Sequence, residues 1–173
     1  MGIGYRLGQF WRNMTAPPLS PEAMKGVTAV LTTEELALFS RFSFSDQQHS
    51  YRVLCTLRTA GQTEPSLLTA ALLHDVGKSC YSLTVWERSL AVLLAIMMPQ
   101  RVKIWGQGEA RGWRRPFVVK AQHPAWGADM VAAAGGDPLT VALIRRHQEA
   151  VPETPDSPED QLLRLLQWAD DQN

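Results

Sequence analysis

The chain of 173 residues is short of net charge, of cysteine and of long apolar runs, and each shortage removes a class of protein. Seventeen Lys and Arg offset seventeen Asp and Glu, which leaves no bulk electrostatic drive toward duplex nucleic acid or polybasic membrane attachment. Two cysteines, Cys55 and Cys80, make neither a disulfide framework nor a thiolate zinc site. Both fall among apolar neighbours, the setting of buried structural thiols, and a reducing cytoplasm is the expected location. The longest apolar run, Leu90 to Met98, is about half what a membrane helix needs, so no transmembrane segment is expected and the run reads as a core helix. The N-terminus has no apolar signal-peptide stretch and no Ser or Thr at position 6 for myristoylation. Residues 1–14 set Tyr5, Leu7, Phe10 and Trp11 beside Arg6 and Arg12, the pattern of a short amphipathic helix, read here as packing on its own domain.

What is present is enough apolar content, 45% of residues, for one globular domain with a real core. Strand signals are nearly absent and helix signals recur. Thr15 to Glu22, with three prolines, reads as a linker, so residues 1–22 are taken as an N-terminal segment and 23–173 as the domain. Thr32 to Glu35 is a capping box for a helix through Phe42, and Ser45 caps a second from Asp46 to Ala60. Further helices are expected over Ser66–Asp75, from Thr84 to Pro99, and over Pro124–Ala134, Pro138–Glu149 and Pro158–Gln172, with residues 100–116 as a long loop. The fold class is all-α, a bundle of about six or seven helices.

Only four histidines occur, His49, His74, His123 and His147, and each is expected at or near a helix end. Imidazoles gathered at element ends, with Asp75 and a late Asp170, point to one site, and imidazole with carboxylate suits Zn, Fe, Mn or Co. His74 and Asp75 are adjacent where a helix unwinds, so both can enter one cleft, and a carboxylate there has two oxygens for two cations. Gly77 is read as permitting the sharp exit of the chain, and Lys78 as a cation on the rim.

The run Leu72-Leu73-His74-Asp75-Val76-Gly77-Lys78 resembles the signature of the HD superfamily of metal-dependent phosphohydrolases, particularly those with an HDIG-like motif. Asp46 to Val53, with His49, is similar to that family's upstream helix. His123-Pro124-Ala125-Trp126-Gly127, Ile144 to Glu149, and Leu166-Gln167-Trp168-Ala169-Asp170 resemble its later motifs in the same order. The resemblance implies an HD-domain helical bundle holding two divalent transition metal ions, Fe, Mn or similar. His49, His74, Asp75 and Asp170 would hold one, His123 and His147 the other, with Asp75 bridging. It implies catalytic roles for Asp75, His74 and Lys78. Arg146 precedes His147 where related phosphodiesterases carry two consecutive histidines, so a third metal is not implied, and no Gly-Tyr-Pro motif places the chain in the cyclic-di-GMP branch.

The implied reaction is hydrolysis of a phosphomonoester or phosphodiester by a metal-activated water, with a small phosphorylated substrate of the nucleotide or cyclic-nucleotide class as partner. Zero net charge conceals an asymmetry: residues 101–120 hold six cations against Glu109, while residues 149–173 hold seven acids and only Arg164. The basic segment, with Trp105 and Trp113, reads either as a lid in which Lys78, Arg114 and Arg115 bind phosphate, or as a solvated loop whose tryptophans pack on the domain and whose arginines pair with the acidic tail. A membrane-surface role for it is a weaker reading. Two rival functions stay open: a mixed-valent diiron oxygenase of the same superfamily, and a non-catalytic HD-like regulatory domain. A homo-oligomer, with segment 1–22 packing in trans, is also left open.

Overall fold

Polar capping residues set where most of the helices begin. In the computed structural model, which describes residues 16–81, 83–152 and 157–173, Ser20, Thr32, Ser43, Thr84, Asp137 and Ser157 each accept a hydrogen bond from a first-turn backbone N–H. The helices are α1 (Pro21–Thr28), α2 (Thr33–Phe39), α3 (Phe44–Thr59), α4 (Pro65–Leu73), α5 (Val85–Met97), α6 (Pro99–Trp105), α7 (Arg115–Ala133), α8 (Pro138–Arg146) and α9 (Pro158–Asp171). Short 3-10 turns occupy Val76–Cys80 and Gly112–Arg114. The described residues are thus all-helical, as expected, but with nine α-helices instead of six or seven.

The extra helices come from prolines read as breaks. Pro21, assigned to the linker, and Pro99, expected only to end α5, each stand in a first turn, where an amide proton has no partner to lose. Segment 100–116 is therefore part helix and part 3-10 turn instead of a long loop. Ser43, not Ser45, caps α3, and α7 starts at Arg115, nine residues before the expected Pro124. The amphipathic stretch 1–14 lies outside the described residues.

Helix α4 is apolar on every side, and Leu67 through Leu73 are all buried, which makes it the centre of the bundle. Around it close Val53, Leu54 and Leu57 of α3, Leu143 and Ile144 of α8, and Leu163, Leu166 and Ala169 of α9. Helix α7 lies across α8 and the Val76–Cys80 turn. That crossing is a backbone contact: a Cβ on Gly77 would stand 2.1 Å from the His123 carbonyl oxygen and 2.7 Å from the Gly127 nitrogen. Gly77 does not have a positive φ, so its role is this close approach and not the sharp exit expected from sequence.

Two expectations fail outside the core. Cys55 is half-buried and Cys80 exposed, so neither is a buried thiol. The run Leu90–Met98 is not a core helix: Leu90, Leu93, Ile96 and Met97 of α5 face solvent, and within α5 Ala91 is buried. Its period marks a helix but does not say which side meets the domain.

Asp137 joins α8 to α4. Its Oδ1 accepts from Leu139 N, Thr140 N and Ser66 Oγ, each at 3.0 Å. Partial burial opposes its charge, but these hydrogen bonds and that of the Thr140 hydroxyl prevail and hold the carboxyl below its usual range. Asp137→Ala should lower stability by about 1–2 kcal/mol at pH 7, read from the denaturant midpoint. With the folded value depressed, the difference from wild type should be full above the unfolded value of about 4 and shrink as pH falls through the folded value. A difference that grows toward acid would contradict this account.

Candidate metal centre

Change of helix type sets His74 and Asp75 side by side in the interior, Nε2 of one 3.6 Å from Oδ2 of the other. Helix α4 stops at Leu73, His74 is its C-cap, and Asp75 opens the 3-10 turn that follows. His49 comes from the second turn of α3, Asp170 from the end of α9, and His147 is the C-cap of α8. His123 lies in the middle of α7, contrary to the expectation that it stands at a helix start. The structure nonetheless brings all six residues together.

They form two adjoining groups. His49, His74 and Asp170 each offer a ligand atom within 4.8 Å of the others, and so do Asp75, His123 and His147. In the first, Asp170 Oδ1 is 2.9 Å from His49 Nε2 and 3.6 Å from His74 Nε2. In the second, Asp75 Oδ1 is 3.2 Å from His123 Nε2 and 3.8 Å from His147 Nε2. Asp75 Oδ2 faces the other way, 3.6 Å from His74 Nε2, and accepts a hydrogen bond from Lys78 Nζ at 2.5 Å. The two oxygens of Asp75 therefore address both groups.

Backbone carbonyls fix which ring nitrogen is free. The Nδ1 atoms of His74, His123 and His147 lie 3.1, 3.0 and 2.7 Å from the carbonyls of Ala71, Val119 and Ile144, so each carries the proton and donates it there. The Nε2 lone pairs are then turned inward. For His123 the neighbouring residue matters: Pro124 has no N–H, and the Lys120 carbonyl it would have bonded instead accepts from His123 Nδ1 at 3.0 Å. The sequence places a helix start at Pro124, and this exchange is why the helix instead runs through it.

Such a set favours positive charge. His123 Nε2 and His147 Nε2 are 3.3 Å apart, and two inward lone pairs at that distance repel unless a cation or proton lies between them. Burial, reinforced by His74, pushes His147 down to about 3, leaving it neutral and able to donate its lone pair. His74 is also desolvated, yet the charges of Asp75 and Asp170 outweigh that and raise it. Both carboxyls resist the effect of burial: Lys78, His74 and His123 hold Asp75 well below the usual range, and His49 and His74 do so for Asp170. Imidazole nitrogens gathered around ionised carboxylates are the donor chemistry of a transition-metal site, and the residues present fit one.

A cavity of roughly 220 Å³ opens beside His123. Lys78, Lys120 and Gln148 give it polar walls, and Tyr81, Leu83 and Val119 are among its apolar ones. Gln148 Nε2 also stands 3.4 Å from His123 Nε2. Tyr81 and Gln148 are not singled out by the sequence, which counts Lys120 only among the six cations of 101–120, although it lies one helical turn before His123 once α7 is extended back to Arg115. Arg114 and Arg115 do not line this cavity. Arg115 pairs with Glu87, its Nη2 2.5 Å from Oε1, and Arg114 lies over the Trp113 ring at 5.3 Å. Trp105 and Trp113 pack on Phe117. The acidic tail is met by Arg146 of α8, which pairs with Glu159 and Asp160.

The family model for the HD domain matches residues 47–171, from α3 to the last residue of α9. No curated protein and no solved structure matches the chain.

Proposed function

Because the chain belongs to the HD domain family, we propose that it is a metal-dependent phosphohydrolase acting on a small phosphomonoester or phosphodiester of the nucleotide or cyclic-nucleotide class. The observation that carries this reading is the pair of inward Nε2 atoms of His123 and His147, 3.3 Å apart with Asp75 beside them. In the proposed assignment His49, His74 and Asp170 hold one divalent ion, His123 and His147 a second, and Asp75 reaches both. Such a pair of ions, when bound, lowers the pKa of a water and neutralises charge on phosphoryl oxygens.

The chain's own residues do the rest. Backbone carbonyls keep the three imidazoles in one tautomer, so no rotation is needed before ligation. Lys78 is oriented by Asp75 and exposed enough to reach a phosphate oxygen at the cavity wall, with Lys120 as a second cation. Tyr81, Leu83 and Val119 offer an apolar wall to the remainder of the substrate.

The test is metal analysis of anaerobically purified protein, then phosphate release from nucleoside monophosphates and ring opening of cyclic nucleotides with the metal found. Hydrolysis that a chelator stops and the metal restores is expected. Turnover in metal-free protein would sink the reading, and iron with oxygen-dependent product would replace it by the oxygenase. Lys78→Ala should raise KM by roughly 10- to 100-fold, the worth of one charged hydrogen bond, while metal content holds. An unchanged KM would remove Lys78 from the substrate's path.

A further inference from the structure

Helix α5 is amphipathic in the wrong sense for a helix of a soluble domain. Trp86, Leu90, Leu93 and Met97 fall at spacings of four, three and four residues, so they share one face, and that face is exposed, Trp86 to 80%. The side turned to the domain carries the small Ala91, buried, and the partly buried Leu94 and Ala95. Ile96, 65% exposed, and Met98 follow on the same helix and its cap, Ile104 is exposed in α6, and Trp113 stands exposed near α6, its ring 5.2 Å from that of Trp105. Contiguous apolar surface of this kind marks a docking face.

Charge selects what docks. Arg101, Lys103, Arg111 and Arg114 are exposed in the same segment. The two acids of residues 85–115 are each held by an arginine, Glu87 by Arg115 and Glu109 by Arg111. Bulky apolar and indole side chains interleaved with exposed cations match the boundary between anionic headgroups and acyl chains. A second copy matches less well, because a two-fold contact would set these cations against their own images.

We infer that the α5–α6 hairpin seats this protein on the surface of an anionic lipid bilayer, with Trp86, Leu90, Leu93, Ile96 and Met97 entering the acyl boundary and Arg101, Lys103 and Arg114 meeting lipid phosphates. No described helix is long and apolar enough to cross a membrane, so the contact is with one face of the bilayer. Ala91 and Val92 of the same helix line the cavity beside His123, so docking brings the cavity close to the lipid surface.

The experiment is co-sedimentation of the full chain with phosphatidylcholine vesicles, with and without phosphatidylglycerol, together with tryptophan fluorescence. Binding to the anionic vesicles with a blue shift, weakened by high salt, is the expected result. The exposed-residue variant Leu93→Glu with Ile96→Glu should lose at least roughly tenfold in vesicle affinity while keeping its helical circular dichroism and melting midpoint. Arg101→Glu with Lys103→Glu should abolish the preference for phosphatidylglycerol. The proposal fails if wild type stays in the supernatant, or if binding survives Leu93→Glu with Ile96→Glu, since attachment then lies elsewhere in the chain. It fails too if light scattering shows a dimer that this variant splits and vesicles do not bind, which assigns the face to a second copy.

Discussion

Gly77→Ala should yield a chain that neither melts as wild type does nor binds metal at the proposed centre as wild type does. The added Cβ would stand 2.1 Å from the His123 carbonyl oxygen and 2.7 Å from the Gly127 nitrogen, far inside the roughly 3.4 Å of ordinary contact. Both obstacles are backbone of α7, so no side chain can swing aside, and relief requires α7 to lift from the Val76–Cys80 turn by more than an ångström. A cost of about 3 kcal/mol or more follows, at the upper end for overpacking and a large part of a typical total of about 5–15. The same movement carries His123 away from Asp75, now 3.2 Å distant, so binding suffers even in the molecules that fold. Gly127→Ala is the graded control: its Cβ would meet Gly77 nitrogen at 3.1 Å and the Val76 side chain at 3.3 Å, and a milder loss is expected. A Gly77→Ala protein with the melting midpoint and metal content of wild type would refute the backbone-contact account.

If the chain is the proposed metal-dependent phosphohydrolase, Asp75→Ala should stay helical and lose turnover by on the order of 10³-fold or more, with metal content falling in parallel. The carboxylate reaches both groups, His123 and His147 through Oδ1 and His74 through Oδ2, which also accepts from Lys78. Its removal leaves four imidazoles and a lysine facing one another with only Asp170 to offset them, so any cation there meets a less negative site. Asp75→Asn separates charge from shape: it keeps the side-chain volume and should lose metal almost as fully. Helical content measured by circular dichroism and bound metal by elemental analysis decide the matter. Full metal occupancy in Asp75→Ala would remove Asp75 from the centre.

Adjacent residues were the easiest to read. His74 and Asp75 come together where a helix ends after Leu73, and no long-range information is needed to see it. Capping boxes at Thr32 and Thr84 were equally legible, because their hydrogen bonds close within four residues. His123 was misplaced because Pro124 reads locally as a start, and only the ring's hydrogen bond to Lys120 lets α7 continue through it. For the same reason Lys120 reads as one more cation of segment 101–120 and not as a neighbour of His123. The exposure of α5 had no local signature at all, since a stripe of leucines looks alike whether a core or solvent faces it. For Arg114 and Arg115 the sequence leaves phosphate and the acidic tail as alternatives, and the partner Arg115 takes, Glu87, lies 28 residues away and is legible only in three dimensions.

The contact between Gly77 and α7 bears on how sequence motifs of this kind are used to sort active chains from inactive ones. Its demand is architectural: two backbones cross with no room for a methyl group, whatever ion or substrate lies nearby. A descendant stripped of Asp75 or His147 would still need a glycine at 77 to close the bundle. Glycine at that position therefore testifies to ancestry and shape, whereas competence for chemistry is carried by the imidazoles and carboxylates beside it.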